Sequence, residues 1–282
     1  MTLAERLASA RAELIAAGVD TSDAAVDVDL YAREILRWDR ATLLSEQRGE
    51  IPSTLEPAFS EWIARRCRHE PTAYIVGKRE FWGLEFRVTP AVLIPRPETE
   101  IIVEEALGLL DGMPSARVAD IGTGSGCLAV AIAHEVPGCH VVATDISEGA
   151  LTIAMANAER HVVGDRITFI RTSFLDSVPR PFELIVANPP YVAERDRSTL
   201  SGDVLHEPAT ALFGGMDGLR DITGVLDASA AALTRGGWLL MEFGAGQDED
   251  VRRLVRGHGD LHLIRTRTDL HGILRTAVVR RN

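Results

Sequence analysis

The main residues that could take part in chemistry directly follow a short apolar run, in Asn188-Pro189-Pro190-Tyr191. Residues 184–187 are typical of a buried parallel strand, and two prolines, which lack a backbone donor and have a fixed φ, would end it in a stiff turn. Such a turn can hold the Asn188 amide and the Tyr191 ring in a fixed relation at the carboxyl edge of a sheet, where open α/β folds bind ligands. Taken alone, the four residues are also compatible with a rigid loop that merely ends a strand.

A second group of residues indicates a nucleotide-type ligand. A predicted strand runs into a turn in which Gly122, Gly124 and Gly126 let the backbone approach a ligand, and the following helix offers free N–H groups. About nineteen residues later, Asp145 closes the next strand, where a carboxylate can accept hydrogen bonds from ribose hydroxyls. A tight turn with a capping acid would explain either piece alone. Both pieces at this spacing favour an adenosine-type ligand.

The glycine spacing distinguishes between cofactors. The dinucleotide fingerprint is G-x-G-x-x-G, whereas this turn has Gly122-x-Gly124-x-Gly126 with Asp120 just ahead of it. A carboxylate close to the loop is poorly placed for a pyrophosphate and well placed for an amino group. S-adenosylmethionine carries an amino group, a carboxylate and a sulfonium, but no phosphate. The turn therefore favours methyl transfer.

Strand and helix patterns alternate through the second part of the chain. This alternation predicts an α/β fold, with a mostly parallel sheet covered by helices on both faces. The predicted helices are residues 127–135, about 148–160 and about 219–233. The predicted strands are residues 117–121, 140–145, 167–171, 183–187, 238–243, 262–265 and 273–280.

The first part of the chain is predicted to be helical. Apolar residues recur at helical spacing up to Gly18 and again from about residue 22 to 38. Ser53 and Glu56 have the spacing of a capping box, which predicts a third helix from there to about Cys67. We expect a small helical bundle that docks a partner or steadies the second domain.

A change of pattern separates the two parts. Apolar residues around Gly83 predict a hairpin, and Pro97 is suited to the first turn of the next helix. The predicted organisation is a helical domain at residues 1–75, a hairpin linker at 76–96 and a catalytic domain at 97–282.

Composition excludes several classes of protein. The net charge of −11 argues against an extended basic surface that holds nucleic acid. No export signal and no apolar run of membrane-spanning length is visible, so we expect no membrane partner. Cys67, Cys127 and Cys139 lack metal-ligand spacing, which predicts no metal and reduced thiols in a cytoplasmic protein.

Together these motifs resemble the class I methyltransferases of amino groups. The more specific resemblance is to the HemK/PrmC family, the N5-glutamine methyltransferases of peptide chain release factors, and it covers nearly the whole chain. The turn at residues 188–191 is weak by itself, since DNA and ribosomal RNA methyltransferases share it, but the combination is specific. The other matching segments are residues 94–100, 120–129, 207–212, 214–219 and 269–272, with Arg275.

The resemblance implies a fold and an activity. The fold would be a class I methyltransferase, Rossmann-like, with a seven-stranded mostly parallel sheet behind a small all-α domain and a hairpin linker. The activity would be transfer of a methyl group from S-adenosyl-L-methionine to the glutamine side chain in the GGQ loop of class I release factors. No stable binding of nucleic acid is expected.

The resemblance also implies a cofactor site. The glycine loop would contact the methionine part, Asp145 would hold the ribose, and Phe174 would stack on the adenine where the family often has a tryptophan. Asn188 would touch both cofactor and substrate. The implied cofactor-binding residues are Asp120, Gly122, Thr123, Gly124, Ser125, Gly126, Asp145, Phe174 and Asn188.

The implied catalytic residues are Asn188, Pro189 and Tyr191, and Pro190 joins them in binding the substrate. The Asn188 side-chain oxygen and the Pro189 carbonyl would accept hydrogen bonds from both N–H groups of the substrate amide, while Tyr191 would pack against its plane. Catalysis would then rest on positioning, with no strong base needed before attack.

Other residues with reactive side chains are predicted to be structural, and other functions fit the sequence less well. His206 and Glu207 are predicted to be structural, because no third ligand is spaced to join them in a metal site. Arg96 can contact either domain or the substrate, and a structural role is favoured. A nucleic-acid amino methyltransferase is the first alternative, since a flipped base presents a similar planar nitrogen. A non-catalytic regulator that binds the cofactor is the second, and a nicotinamide dehydrogenase fits the glycine spacing least well.

Overall fold

The computed structural model describes residues 1–113 and 115–282. The described residues fall into two compact units. The first consists of residues 1–77 with residues 201–206, and the second consists of residues 78–200 with residues 207–282.

The first unit is helical, and its apolar positions recur at helical spacing because one face of each long helix is buried. Leu3, Leu7, Ala10 and Leu14 line the buried face of the first helix. Thr2 and Glu5 form a capping box at its start. The helices are α1 (Leu3–Ala16), α2 (Thr21–Leu36), α3 (Arg40–Glu46), α4 (Ala58–Arg66) and α5 (Thr72–Val76).

The predicted start of the third helix is wrong. Helix α4 begins at Ala58, and its N-cap Pro57 makes no side-chain cap. The Glu56 side chain instead accepts hydrogen bonds from Arg6 Nε at 2.9 Å and from the Ser60 backbone at 3.2 Å. A tertiary ion pair thus takes the carboxylate that a capping box at Ser53 would have used. The short helices α3 and α5 were not predicted.

Residues 201–206 are held in the first unit by polar contacts. Asp203 pairs with Arg66 at 2.8 Å, and Arg66 also pairs with Asp27 at 2.7 Å. The His206 ring hydrogen-bonds the Arg68 carbonyl at 3.0 Å. His206 therefore has a structural partner.

The second unit starts with the predicted hairpin, which turns at Gly83. A 3₁₀ turn at Pro97–Thr99 then leads into the helix that begins at Glu100, so Pro97 occupies the first turn as predicted. The strands are β1 (Lys78–Phe81), β2 (Leu84–Arg87), β3 (Arg117–Ile121), β4 (His140–Asp145), β5 (Ile167–Arg171), β6 (Phe182–Ala187), β7 (Leu233–Glu242), β8 (Leu261–Thr268) and β9 (Leu274–Arg281). The helices are α6 (Glu100–Leu110), α7 (Cys127–Glu135), α8 (Glu148–Arg160), α9 (Ala209–Leu212), α10 (Arg220–Ala232) and α11 (Asp248–Gly257).

Within the described residues, the main sheet has seven strands in the order β5-β4-β3-β6-β7-β9-β8. Only the pairings of β9 with β7 and with β8 are antiparallel there, so the predicted α/β class and mostly parallel sheet are confirmed. Alternate residues of β3 enter opposite cores: Val118 packs on one face and Ala119 on the other. Helices cover both faces because both are apolar.

The topology places one crevice at the centre of the sheet. The chain moves outward from β3 to β4 and β5, then returns to the other side of β3 with β6. The register sets Ile121 opposite both Thr144 and Ala187. The loops after β3, β4 and β6 therefore begin at the same carboxyl edge, at the switch point where open α/β sheets bind ligands.

Candidate active site

Asp120, the penultimate residue of β3, lies beneath the glycine loop and is 1% exposed. Its Oδ2 accepts hydrogen bonds from Thr123 Oγ1 at 2.6 Å and from the Ala129 backbone at 3.2 Å. Burial raises the pKa of this carboxyl to about 7, although both hydrogen bonds lower it. Since Asp120 also lines the cavity at the sheet edge, it is suited to a cationic group that restores its charge.

The glycine loop needs glycine for two different reasons. Gly126 has φ +82°, and a Cβ there would lie 3.0 Å from the Cβ of Ala154 in α8, so the loop packs directly on that helix. Gly122 has φ +73° but faces open space. Gly126 is required for close packing, whereas Gly122 is required only for its backbone conformation.

Asp145 closes β4 and is held across the loop. Its Oδ2 accepts from the Gly124 backbone at 3.0 Å, and its Oδ1 accepts from the Ser147 backbone at 2.8 Å. These contacts fix the carboxylate beside the loop at the cavity wall. The remaining lone pairs can accept hydrogen bonds from hydroxyls of a ligand.

Phe174 packs its ring against the backbone of Gly224 in α10. A Cβ at Gly224 would overlap the ring, so this helix position accepts only glycine without moving Phe174. Phe174 itself has φ +46° and lines the cavity. Its flat apolar face is thus available beside the loop.

Asn188 follows the last residue of β6 and is bound by side chains from remote parts of the chain. Its Nδ2 donates to Thr99 Oγ1 at 3.0 Å, and Thr99 Oγ1 donates to Glu242 Oε2 at 2.6 Å. Tyr191 OH donates to Glu242 Oε1 at 3.1 Å. The Asn188 Oδ1 atom is buried and has no hydrogen-bond partner among the residues that the structure describes.

Glu242, at the end of β7, is 1% exposed. Burial raises its pKa, and the hydrogen bonds from Thr99 and Tyr191 together with the charge of Arg275 lower it. Burial also raises the pKa of the Tyr191 hydroxyl, so that group is a donor at neutral pH.

The turn is supported from behind by glycines and by Gln247. A Cβ at Gly214 would overlap the Pro190 carbonyl, and a Cβ at Gly218 would overlap the Tyr191 carbonyl. Gln247 Nε2 donates to the Tyr191 carbonyl at 3.0 Å, and its Oε1 accepts from the Gly244 backbone at 2.8 Å. The segment at residues 214–218 therefore acts as the floor of the turn.

Glu207 forms an ion pair with Arg96, which lines the cavity. The Glu207 carboxylate, which is almost fully buried, also accepts from the Ile94 backbone at 2.9 Å. This contact gives both residues a structural partner within the second unit. Among the described residues, no group of three histidine, cysteine or acidic side chains could hold a metal ion.

One cavity of about 390 Å³ brings these residues together. Its volume, its buried carboxylate and its apolar wall fit S-adenosylmethionine. Gly126 and Tyr191 are outside its lining, since Gly126 packs on α8 and the Tyr191 hydroxyl is turned toward Glu242. The predicted site residues in its lining are Asp120, Gly122, Thr123, Gly124, Ser125, Asp145, Phe174, Asn188, Pro189 and Pro190.

Known proteins resemble this chain along its whole length. A family described as the PrmC N-terminal domain matches residues 5–77, and one described as the methyltransferase small domain matches residues 103–215. A release factor glutamine methyltransferase of Koribacter versatilis is 39% identical over 100% of this chain and 99% of its own. A Coxiella burnetii protein of the same name is 40% identical over 91% of each chain. The chain belongs to the release factor glutamine methyltransferase family.

Solved structures add the fold. The catalytic domain of hMettl16, solved with an RNA hairpin, is 18% identical, with a TM-score of 0.58 over 78% of this chain and 82% of that one. A methyltransferase from Pyrococcus furiosus is 17% identical, with a TM-score of 0.52 over 79% of this chain and 98% of that one. The predicted family, the methyltransferase fold, the class of enzyme and S-adenosylmethionine as its cofactor are confirmed. No helix in the described part of the chain is long and apolar enough to cross a membrane.

Sequence reasoning missed three residues that hold the turn: Thr99, Glu242 and Gln247. Glu242 carried a signal, because it is a single carboxylate ending the apolar run of β7 at the carboxyl edge of the sheet. Thr99 lies in the matching segment at residues 94–100, but neither that segment nor the neighbourhood of Gln247 indicates which distant group these side chains contact.

Proposed function

We propose that this protein methylates the side-chain amide nitrogen of the glutamine in the GGQ loop of class I peptide chain release factors. The observation that carries the proposal is the Asn188 Oδ1 atom, which is buried and lacks a partner among the described residues, at the cavity of the glycine loop. A buried acceptor left unpaired costs about 1–3 kcal/mol, and an amide N–H of the substrate would remove that cost.

The cofactor would be held by residues on the other side of the cavity. Asp120 would pair with the amino group, Asp145 would accept from the ribose hydroxyls, and Phe174 would contact the adenine. S-adenosylmethionine, when bound, supplies an electrophilic methyl group. The family membership and the cavity lining both support this assignment.

The turn at residues 188–191 would promote the reaction by orienting the substrate amide. A glutamine nitrogen is a poor nucleophile because its lone pair is delocalised into the carbonyl. Asn188 Oδ1 and the Pro189 carbonyl would each accept one of its N–H groups, which fixes the amide plane and raises the electron density on nitrogen. Well-oriented reactants gain up to about 7–11 kcal/mol relative to free reactants in solution, so positioning alone is a large effect.

No general base is required in this scheme. The nitrogen would keep both protons while the new N–C bond replaces the bond from the methyl carbon to the donor sulfur, whose electron pair would stay on sulfur. One proton would then leave to water. Among the described acids near the turn, Glu242 has both oxygens hydrogen-bonded to Thr99 and Tyr191. It is therefore a support for the turn rather than a proton acceptor for the substrate.

A nucleic-acid amino methyltransferase remains the alternative to test, because an extruded base would present a similar planar nitrogen. The net charge of −11 counts against it, since phosphate contacts supply most nucleic-acid affinity. The likeness to the hMettl16 domain concerns the fold alone.

The test uses labelled S-adenosylmethionine with, separately, purified release factor, DNA and ribosomal RNA. We expect label in the release factor, and none in a release factor whose GGQ glutamine is changed to alanine. The Asn188→Ala variant should bind release factor but transfer no methyl group. Label in DNA or RNA and none in release factor would contradict the proposal.

The helical unit at residues 1–77 would dock the release factor away from the reacting glutamine. Its family match supports this role, and Val26 and Leu44 are apolar side chains with 64% and 57% exposure. Hydrogen exchange on the whole protein, with and without release factor, checks it. Protection confined to the residues around the cavity would remove the docking role.

A further inference from the structure

Three elements distant in sequence meet in one buried chain of hydrogen bonds behind the Asn188 turn. Glu242 ends β7, Thr99 ends the 3₁₀ turn before α6, and Asn188 follows β6. Thr99 and Glu242 are each 1% exposed. The chain runs from Glu242 Oε2 through Thr99 Oγ1 to Asn188 Nδ2, with distances of 2.6 and 3.0 Å.

The direction of each hydrogen bond follows from the proton count. Both oxygens of Glu242 accept hydrogen bonds, Oε2 from Thr99 and Oε1 from Tyr191, which is the arrangement of a carboxylate that only accepts. The Thr99 hydroxyl has one proton, and at 2.6 Å, a distance typical of O–H···O⁻ bonds, it is donated to Glu242. The oxygen of Thr99 can then only accept from its other neighbour. The group of Asn188 that faces Thr99 must therefore be the NH₂ group.

This requirement fixes the other end of the amide. The side-chain amide is planar, so an NH₂ group held at Thr99 turns Oδ1 away from it. Oδ1 is buried and has no partner within the described residues, and Asn188 lines the cavity. With the amide reversed, the cavity would meet an NH₂ donor, which would oppose the N–H groups of a substrate amide.

The same carboxylate also holds the far end of the turn. Tyr191 OH donates to Glu242 Oε1 at 3.1 Å, so one acid accepts from both sides. Thr276, paired with Glu242 in the sheet, has a buried hydroxyl outside this network and without a partner among the described residues. Glu242 thus accepts hydrogen bonds from the hydroxyls of Thr99 and Tyr191, and not from that of Thr276.

We propose that Thr99 and Glu242 are positioning residues that set the orientation of the Asn188 amide, so that its oxygen faces the substrate nitrogen. The proposal rests on the proposed function of Asn188 as the acceptor for the substrate amide. Thr99 lies in the cavity lining, but its hydroxyl is bonded to Glu242 and Asn188, and it therefore acts through Asn188. Glu242 acts through Thr99 and Tyr191. A glutamine at position 242 has the shape of Glu242 but offers a donor as well as an acceptor, which permits the reversed amide.

Kinetics of matched variants provide the first test. We expect Glu242→Gln and Thr99→Val to lower kcat about 100-fold, a loss typical of a misplaced transition-state contact, with the KM for release factor and the Kd for S-adenosylmethionine within about threefold. Thr99→Ser keeps the hydroxyl and should retain most of the activity. Thr276→Val, the same change at a hydroxyl outside the chain, should leave kcat unchanged.

Nuclear magnetic resonance gives a readout that does not depend on turnover. The sequence contains three asparagines, at positions 157, 188 and 282, so labelling asparagine with ¹⁵N gives few side-chain NH₂ signals. The Asn188→Ala spectrum assigns the Asn188 pair by its absence. We expect Thr99→Val and Glu242→Gln to shift that pair. The Asn157 pair, donated to the Arg87 and Ser125 carbonyls, should stay in place as an internal control.

The outcomes separate the two proposals. An unchanged Asn188 signal in both variants, or full kcat in Glu242→Gln, would overturn the positioning role. Equal losses in Thr99→Ser and Thr99→Val would do the same, because the hydroxyl would then not matter. If the native protein transfers no methyl group to release factor, the proposed function fails, while the spectra still report the orientation of Asn188.

Discussion

The two halves of the cavity are built in different ways. The part of the cofactor half around the glycine loop is local: the partners of Asp120 are 3 and 9 residues away in sequence, and the contact from Gly124 to Asp145 spans 21, whereas Phe174 packs on Gly224 of the distant helix α10. The half around the turn is assembled from afar, since the contact from Asn188 to Thr99 spans 89 residues and that from Gln247 to Tyr191 spans 56. The first half can form with its own supersecondary unit, whereas the second exists only when the whole sheet is in place.

This difference predicts that the halves can be damaged separately. Changes near the glycine loop should lower the affinity for S-adenosylmethionine. Changes at the remote supports of the turn should lower the rate of transfer and spare that affinity.

The largest expected effect is that of Gly218→Ala. Gly218 has φ +80°, and its new Cβ would overlap the Tyr191 carbonyl and lie 2.8 Å from Gln247 Nε2, so the turn must move. We expect kcat/KM to fall about 100-fold or more, since a shift of about 1 Å can cost that much. Gly246→Ala is the control, because it has φ +81° but nothing within 4 Å. An equal loss of activity in the two variants would show that backbone strain, and not the overlap, matters.

Asp120→Asn should produce the next effect, on the cofactor half. A buried charge-assisted contact is worth about 1.5–3 kcal/mol, so we expect the Kd for S-adenosylmethionine to rise about 30-fold. Titration calorimetry measures it. A Kd within about twofold of the native value would mean that the carboxylate does not bind the amino group.

The pKa of Asp120 adds a pH dependence to the same contact. Burial raises this pKa to about 7, so the free protein favours the protonated acid, which cannot pair with an amino group, only at pH values below about 7. The Kd should therefore rise as the pH falls below about 7, approaching tenfold per pH unit. The same shift stabilises the free protein at pH values below about 4, and that contribution is lost as the pH rises through about 7. Asp120→Asn should abolish both trends from this group.

A smaller effect is expected from Gly224→Ala. The Cβ would overlap the Phe174 ring and push it from its place at the cavity wall. We expect about a tenfold weaker affinity for S-adenosylmethionine, in line with the value of an aromatic contact. Gly108→Ala in α6 is the control, because nothing lies within 4 Å and alanine should stabilise the helix by about 1 kcal/mol. Unchanged affinity in Gly224→Ala would remove Phe174 from the adenine site.

Gln247→Leu should have the smallest effect. It removes the hydrogen bond to the Tyr191 carbonyl, worth about 1 kcal/mol, together with the one that Gln247 accepts from the Gly244 backbone, while the glycine floor stays. We expect kcat to fall about fivefold, with unchanged affinity for S-adenosylmethionine. A loss as large as that of Gly218→Ala would make Gln247 the main support of the turn.

Much of the fold was predictable because parallel strands buried on both faces are continuous apolar runs. The predicted bounds of β3, β4 and β5 agree with the structure. Helix α11 was not predicted, although Val251, Leu254 and Val255 recur at helical spacing within a charged segment. Strand β7 begins at Leu233 rather than at the predicted Trp238, since the strand continues through Gly236 and Gly237 where the sequence indicated a break.

The candidate site also contains residues that were predictable from the sequence and residues that were not. The glycine loop, Asp145 and the turn after β6 were predictable because their spacing along the chain encodes their geometry. Thr99 and Glu242 were not, because their role depends on the register of β6, β7 and β9 and on where α6 begins. A sequence shows which residues are near each other along the chain, whereas these contacts depend on tertiary structure.

The residue after Asn188 has a chemical consequence as well as a conformational one. Asparagine deamidates when the backbone nitrogen of the next residue, after losing its proton, attacks the side-chain carbonyl and closes a succinimide ring. Pro189 carries no backbone proton, so the ring cannot form by this route at Asn188. Asn157 is followed by Ala158, which leaves it open to that reaction whenever it is exposed. The amide that we propose to hold the substrate nitrogen is therefore protected from this form of chemical ageing by its own turn.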